Sequence, residues 1–229
     1  MIANASSALT PERLDILEES VAIAAPSGEL AGVLAYPLAV PARRAALVVG
    51  PHPLMGGRLD NNVVRAVARG LAEHGLATLR FAYGGPGPTT DGMDAFWRTG
   101  HAPDDPQRLG DAQAALQYLH SAVALPTVLI GYSFGTSLLE ALADACAPTH
   151  LVLIGPTLAR HAHDRLLQIA LPKLLITADN DFATPLELTR DWFGQCRGPK
   201  RLVVFPAAEH FYLGAEDRLV GEIFAWLQQ

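Results

Sequence analysis

The residues best suited to chemistry are Gly131-Tyr132-Ser133-Phe134-Gly135. They follow an apolar run, Thr127–Tyr132, and precede a helical pattern, Phe134–Ala145. A serine set on a sharp strand-to-helix turn requires that context. In such a turn the serine backbone is strained and its hydroxyl projects above the strand end. Gly131 and Gly135 carry no β-carbon, so strand and helix can approach closely. The start of the helix adds unpaired N–H groups and partial positive charge beside the hydroxyl. A serine so placed can attack an acyl carbon, provided that a base takes its proton and a carboxylate orients the base.

Where a strand-end serine works this way, the chain order is serine, acid, histidine. Of the histidines after Ser133, His150 opens a strand and reads as structural. His161 and His163 precede the strand that must carry the acid, and as a His-x-His pair they lack further metal ligands. His210 follows the last strand, in Phe205-Pro206-Ala207-Ala208-Glu209-His210-Phe211, and is the expected base. The acid should end the strand Leu174–Thr177, where Asp179 and Asp181 both qualify. The one not used is expected to shape the turn by accepting backbone N–H bonds.

An oxyanion needs fixed donors. One is the Phe134 N–H. The other should come from the loop Pro51–Gly57, where Pro53 has no N–H and Leu54 is the candidate. His52 precedes the serine and reads as an anchor of this loop rather than as a base. Met55, Phe182, Phe211 and Tyr212 flank the catalytic loops, and Phe96 and Trp97 can close over them from a long connection. As a set they suggest an apolar acyl or aryl group. No arginine cluster is placed to hold a phosphate or second carboxylate. Gly85-x-Gly87 lacks a third glycine and a following helix, so it is not a nucleotide loop. No cofactor and no metal are expected.

The elements that must position these residues read as follows. Val21–Ala25 and Leu30–Tyr36 flank Pro26-Ser27-Gly28 as a hairpin. Strands are expected at Ala46–Val49, Ala77–Tyr83, Thr127–Tyr132, Leu151–Ile154, Leu174–Thr177 and Leu202–Phe205. Helices are expected at Asn62–His74, Gln107–His120, Phe134–Ala145, Leu158–Ile169, Leu186–Phe193 and Glu216–Leu227. The later strands are apolar throughout, as a sheet covered on both faces requires. The alternation gives an α/β fold: a mostly parallel, doubly wound sheet of about eight strands with helices on both faces. Residues 1–19 read as a loose leader and 20–229 as one domain. Between Ile154 and Leu174 there is room for one helix only, so no large cap is expected.

The 229 residues are 50% hydrophobic and 17% charged, with 17 Lys plus Arg against 23 Asp plus Glu and a net charge of −6. Mean hydropathy is +0.20. That excludes a disordered chain, and a chain this long can bury roughly 70–75% of its unfolded surface without disulfide staples. The absence of a basic field argues against nucleic acid or an acidic membrane surface as partner. Two cysteines, Cys146 and Cys196, make no framework. With no secretory signal and no span of about 18 apolar residues, a reducing cytoplasm is the expected compartment. Low charge and alanine-rich helices are compatible with a homodimer.

Together these residues resemble the α/β-hydrolase superfamily, and more narrowly its small capless members near the dienelactone-hydrolase-like and short-chain esterase group. The likeness runs over about residues 25–229. The serine motif carries most of it. Pro51-His52-Pro53, Gly56-Gly57 and Asn61-Asn62 resemble the oxyanion loop and first helix of a bacterial subgroup. In such families the acid commonly lies four residues before a proline, which favours Asp181 before Pro185, and Glu209-His210-Phe211 is similar to the usual acidic–His–aromatic end. Two departures stand out. Dienelactone hydrolase uses a cysteine nucleophile where this chain has Ser133. The subgroup's Arg-Phe-Asn-Phe-Arg-Gly is here Arg80-Phe81-Ala82-Tyr83-Gly84-Gly85.

The expectation is therefore a cofactor-free serine hydrolase of a small carboxylic ester or thioester, working through an acyl-enzyme. Its rivals are a thioesterase that frees acyl groups from a thiol carrier, and a repurposed fold that serves as a lyase, a cyclase or a non-catalytic binding protein.

Overall fold

The computed structural model describes residues 13–85, 94, 98 and 107–229. Eight strands form one sheet: β1 (Ile16–Ala25), β2 (Gly28–Pro37), β3 (Ala45–Val49), β4 (Ala77–Phe81), β5 (Thr127–Tyr132), β6 (His150–Ile154), β7 (Lys173–Asn180) and β8 (Lys200–Glu209). Their spatial order is β1-β2-β4-β3-β5-β6-β7-β8. The β1–β2 and β2–β4 pairs are antiparallel and all others parallel. Residues 16–19, assigned above to the leader, belong to β1, where Glu19 pairs with Leu34 across the hairpin. Their mixed polarity hid them, because an edge strand needs only one buried face.

Inner strands obey a stricter demand. In β3, β5, β6 and β7 neighbouring residues point to opposite faces and both faces are covered. Leu47, Leu129, Leu153 and Leu175 enter one core, and Val48, Ile130, Ile154 and Ile176 enter the other. The first core is closed by α2 (Gln107–Ala122), α3 (Leu139–Cys146), α4 (Asp164–Gln168) and α5 (Leu186–Gln195). The second is closed by α1 (Asn62–Glu73) and α6 (Glu216–Leu227). Each Leu or Ile so buried contributes about 1.5–3 kcal/mol.

Two expected helices are shorter than their patterns. After β5 the chain winds as a tight 3-10 segment, Ser133–Leu138, before α3 begins. Of the expected Leu158–Ile169 only Asp164–Gln168 is α-helical. Local side-chain bonds hold the rest as turns. The Thr157 hydroxyl lies 2.8 Å from His161 Nδ1, and His163 Nδ1 donates to the His161 carbonyl at 2.8 Å. Such bonds compete with a helical ladder. No helix among the described residues is long and apolar enough to cross a membrane.

Candidate active site

The parallel strands all end at the same edge, and the chemistry-bearing residues follow those ends. Ser133 comes directly after β5, with φ of 55°, one of four non-glycine residues at positive φ among those described. An L-residue adopts that geometry only where its surroundings force it. The force here is close packing. A β-carbon on Gly135 would lie 2.2 Å from the Val49 carbonyl oxygen, so the elbow can press against β3 only with glycine there.

His210 follows β8. Its Nε2 lies 2.9 Å from Ser133 Oγ, and its Nδ1 lies 2.9 Å from both carboxylate oxygens of Asp181. Asp181 follows β7 and is anchored in turn, accepting the Ala183 N–H at 2.8 Å. A carboxylate can only accept, so Nδ1 carries the ring proton. With the proton on Nδ1, Nε2 can accept from the serine hydroxyl. All three side chains are buried, His210 at 3% exposure, Ser133 at 7% and Asp181 at 8%. Asp179 does something different: its carboxylate accepts the N–H groups of Ala207 and Ala208, at 2.9 and 3.3 Å. It thereby fixes the bend in β8 that delivers His210.

The backbone around His210 is also held. Its carbonyl accepts from the Tyr132 hydroxyl at 3.0 Å, and the next carbonyl, of Phe211, accepts from Asn62 Nδ2 at 2.9 Å. Burial raises the Tyr132 phenol far above its ordinary pKa, so it stays a donor. Gly155, directly after β6, has φ of 50°, and a β-carbon there would sit 3.2 Å from the His210 ring and 3.3 Å from Asp181. It leaves room for the pair. Nothing in the local sequence pattern signals this.

Beneath the elbow lies a second buried imidazole. His163 is 2% exposed, and burial pushes its pKa down to about 4. With Nδ1 donating to the His161 carbonyl, its Nε2 must accept. The Thr136 hydroxyl faces both this nitrogen, at 2.9 Å, and the Ser133 carbonyl, at 2.6 Å. One hydroxyl proton therefore serves two acceptors directly under the serine.

Other expected positions divide. Met55, Phe134 and Phe182 line the cleft beside Ser133. Phe182 is 53% exposed with its ring 4.9 Å from that of His210, and Phe211 stands beside it at 5.6 Å. Phe211 thus forms the outer rim. Tyr212 is a correction: it is 1% exposed, its ring packs on Tyr132 and Phe205, and its hydroxyl donates to the Ile176 carbonyl. The chain turns at Tyr212 with φ of 51°, which sends its side chain into the core rather than the cleft. The Leu54 N–H, expected to face an oxyanion, donates to His52 Nδ1 at 3.2 Å, so His52 anchors its own loop. Phe96 and Trp97 lie outside the described residues.

Sequence reasoning missed part of the cleft wall. Thr157, Arg160 and His161, from the turn after β6, and Ala183, from the loop after β7, also line it, as does His52. The His161 ring stands edge-on to Phe134 at 5.2 Å, and the His52 ring does so at 5.1 Å. Among the described residues no group of three His, Cys, Asp or Glu side chains is placed to hold a metal.

No protein-family model matches the chain. Among curated proteins, the uncharacterized protein RP471 of Rickettsia prowazekii (strain Madrid E) is 24% identical over 178 residues, covering 73% of this chain and 71% of that one. A structure described as an alpha-beta serine hydrolase homologue from Coxiella burnetii is 27% identical, covers 89% of this chain and 94% of that one, and has a TM-score of 0.75. A Xanthomonas campestris protein, described as a serine hydrolase without lid, is 23% identical over 92% of this chain and 94% of its own, with a TM-score of 0.77. A dienelactone hydrolase from Anabaena variabilis is 23% identical over 93% and 97%, with a TM-score of 0.72. The chain has the α/β-hydrolase fold.

Proposed function

We propose that the protein is a serine hydrolase that cleaves a carboxylic ester or thioester through an acyl-enzyme. One observation carries the reading: His210 spans Ser133 Oγ and Asp181, at 2.9 Å on each side. Ser133 Oγ attacks the carbonyl carbon while its proton passes to His210 Nε2. Asp181 holds the ring and balances the imidazolium that forms. The oxyanion is received by the Phe134 N–H, which by its place at the start of the 3-10 segment has no intrahelical acceptor. The Leu54 N–H is the second donor. Its 3.2 Å bond to His52 lies at the long end of the range, and it shifts to the oxyanion as charge develops. His210 then protonates the leaving group, and water, deprotonated by the same nitrogen, releases the acid.

Support for ester chemistry comes from the fold's relatives, which include a dienelactone hydrolase and the esterase domain of a Rhodothermus marinus protein. A thioester on a small thiol or an acyl carrier would pass through the same steps. The apolar residues of the cleft and rim, Met55, Phe134, Phe182 and Phe211, suit an acyl or aryl group. Cys146 and Cys196 are unpaired, which suits a reducing compartment such as the cytoplasm.

The test pairs a fluorophosphonate label with a panel of short esters and matched thioesters. Wild type should label at Ser133 and turn over part of the panel. Ser133→Ala should lose the label and several orders of magnitude in kcat, up to about 10⁶. A loss of less than about tenfold would rule the mechanism out. Labelling without turnover would instead favour acyl transfer or cyclisation.

A further inference from the structure

Thr136 and His163 are buried polar residues that the reaction described above does not use. Thr136, in the 3-10 segment that begins at Ser133, is fully buried, and its hydroxyl donates to the Ser133 carbonyl at 2.6 Å. His163 Nε2 lies 2.9 Å from the same hydroxyl. That nitrogen is an acceptor, because Nδ1 donates to the His161 carbonyl and burial keeps the ring neutral near pH 7. The neighbouring Ser137 hydroxyl makes the same backward bond, to the Phe134 carbonyl at 2.7 Å, from a half-buried position. Water can stand in for the Ser137 hydroxyl. In the dry surroundings of Thr136 a lost bond has no such substitute.

The Ser133 carbonyl matters because of what stands at the other end of its peptide. Its C=O and the Phe134 N–H belong to one planar trans unit, so the two point in opposite directions. Fixing the oxygen therefore fixes the hydrogen. The oxygen faces along the 3-10 segment to Thr136, and the N–H faces back to the start of the segment, where Ser133 stands. A hydrogen bond to the oxygen also polarises the amide and strengthens its N–H as a donor. The peptide follows a residue with φ of 55°, a geometry that persists only where neighbours enforce it. The Thr136 hydroxyl is such a neighbour. His163 shares its proton, and the carbonyl, being nearer, keeps the shorter bond.

We infer that Thr136 is a positioning residue of the oxyanion hole: by holding the Ser133 carbonyl it aims the Phe134 N–H at the oxygen of the tetrahedral intermediate. The inference rests on the hydrolase reading of Ser133 and deepens it with a residue that does not line the cleft. Its contribution appears only as charge develops on the substrate oxygen, so it belongs to kcat rather than to KM.

Three variants and one pair of substrates test this. Thr136→Val keeps the shape of the side chain and removes the hydroxyl. Its kcat on a short p-nitrophenyl ester should fall by about 10- to 100-fold, as for a donor displaced by up to about 1 Å, with KM changed less than about threefold. Thr136→Ser restores the hydroxyl and should bring kcat back to within about threefold of wild type. The second substrate is the matching thionoester, whose sulfur is a poorer hydrogen-bond acceptor than oxygen. Wild type should prefer the oxygen ester, and Thr136→Val should shrink that preference by about tenfold, because a misdirected donor costs the oxygen ester more. General loosening of the elbow would slow both substrates alike. If Thr136→Val does not fold, Thr136→Cys takes its place beside Thr136→Ser: a thiol is a weak donor, so kcat should be about tenfold lower with cysteine than with serine. An unchanged kcat in Thr136→Val, an unchanged oxygen-to-sulfur preference, no recovery in Thr136→Ser, or equal rates for the serine and cysteine variants would overturn the inference. Any of those results, with wild-type Ser133 labelled by fluorophosphonate and esters cleaved, would leave the hydrolase reading standing. Failure of wild-type Ser133 to label would remove both.

Discussion

At the scale of single residues, the site separates two aspartates that are two positions apart at the end of β7. Asp181 touches the His210 ring, while Asp179 touches only backbone N–H groups of β8. Their substitutions should diverge. Asp181→Asn leaves the shape intact but offers the ring an ambiguous partner, and kcat should fall by about 10⁴. Asp179→Ala removes two hydrogen bonds to an acceptor that is charged, so stability should fall by about 1–3 kcal/mol while kcat falls less than tenfold. Steady-state rates beside urea denaturation distinguish these outcomes. Equal rate losses would mean that both carboxylates act on His210.

At the scale of elements, the elbow depends on how closely the 3-10 segment Ser133–Leu138 meets β3. Gly135→Ala would place its β-carbon 2.2 Å from the Val49 carbonyl and 2.7 Å from that of Gly50. The obstacle is backbone in a central, fully buried strand, which has nowhere to retreat. The elbow must therefore move, and with it Ser133 Oγ. A displacement of about 1 Å costs on the order of 10² in rate. The variant should thus lose activity out of proportion to any loss of folded protein, measured as kcat per fluorophosphonate-reactive site against a thermal melt. Full activity would show that the close approach is not needed. Asn61 and Asn62 tie the same region from another side. Asn61 caps α1 by accepting the Val63 and Val64 N–H groups, and Asn62 reaches the Phe211 carbonyl beside His210.

For the whole molecule, the buried histidine below the elbow links folding to acidity. His163 has a pKa of about 4 when folded, lowered chiefly by burial, against about 6.5 in an unfolded chain. Between those values the unfolded state binds more protons. Stability is therefore fully expressed above about pH 6.5 and declines as the pH falls towards 4. The decline from this one group is on the order of 3 kcal/mol. Urea midpoints measured from pH 7 down to pH 4.5 should drop in wild type, and His163→Gln should flatten that slope. Parallel slopes for the two proteins would place the acid sensitivity elsewhere. Protonation would also turn His163 Nε2 into a donor and so take away one of the two acceptors that the Thr136 hydroxyl now faces beneath Ser133.

Much of this protein was legible in the chain alone, for a physical reason. Hydrophobic pattern reports burial, and a central parallel strand is buried on both faces. Thr127–Tyr132 and Leu151–Ile154 could therefore be recognised without coordinates, and so could the serine turn, because only glycine permits its close contacts. The order serine, acid, histidine follows from strand order in the same way. What the pattern could not carry was direction. Tyr212 reads like its neighbour Phe211, yet a positive φ sends one ring into the core while the other stays at the rim. Asp179 and Asp181 are alike in type, and a bulge between β7 and β8 near Ala178–Asn180 accompanies their different directions. Arg160 and His161 lie in what reads as a helix, and side-chain bonds to Thr157 and His163 break that helix into the turn that brings them to the cleft. Periodicity fixes which residues must leave water. Which of the polar ones then meet is decided by bonds and dihedral angles that exist only once the chain has folded.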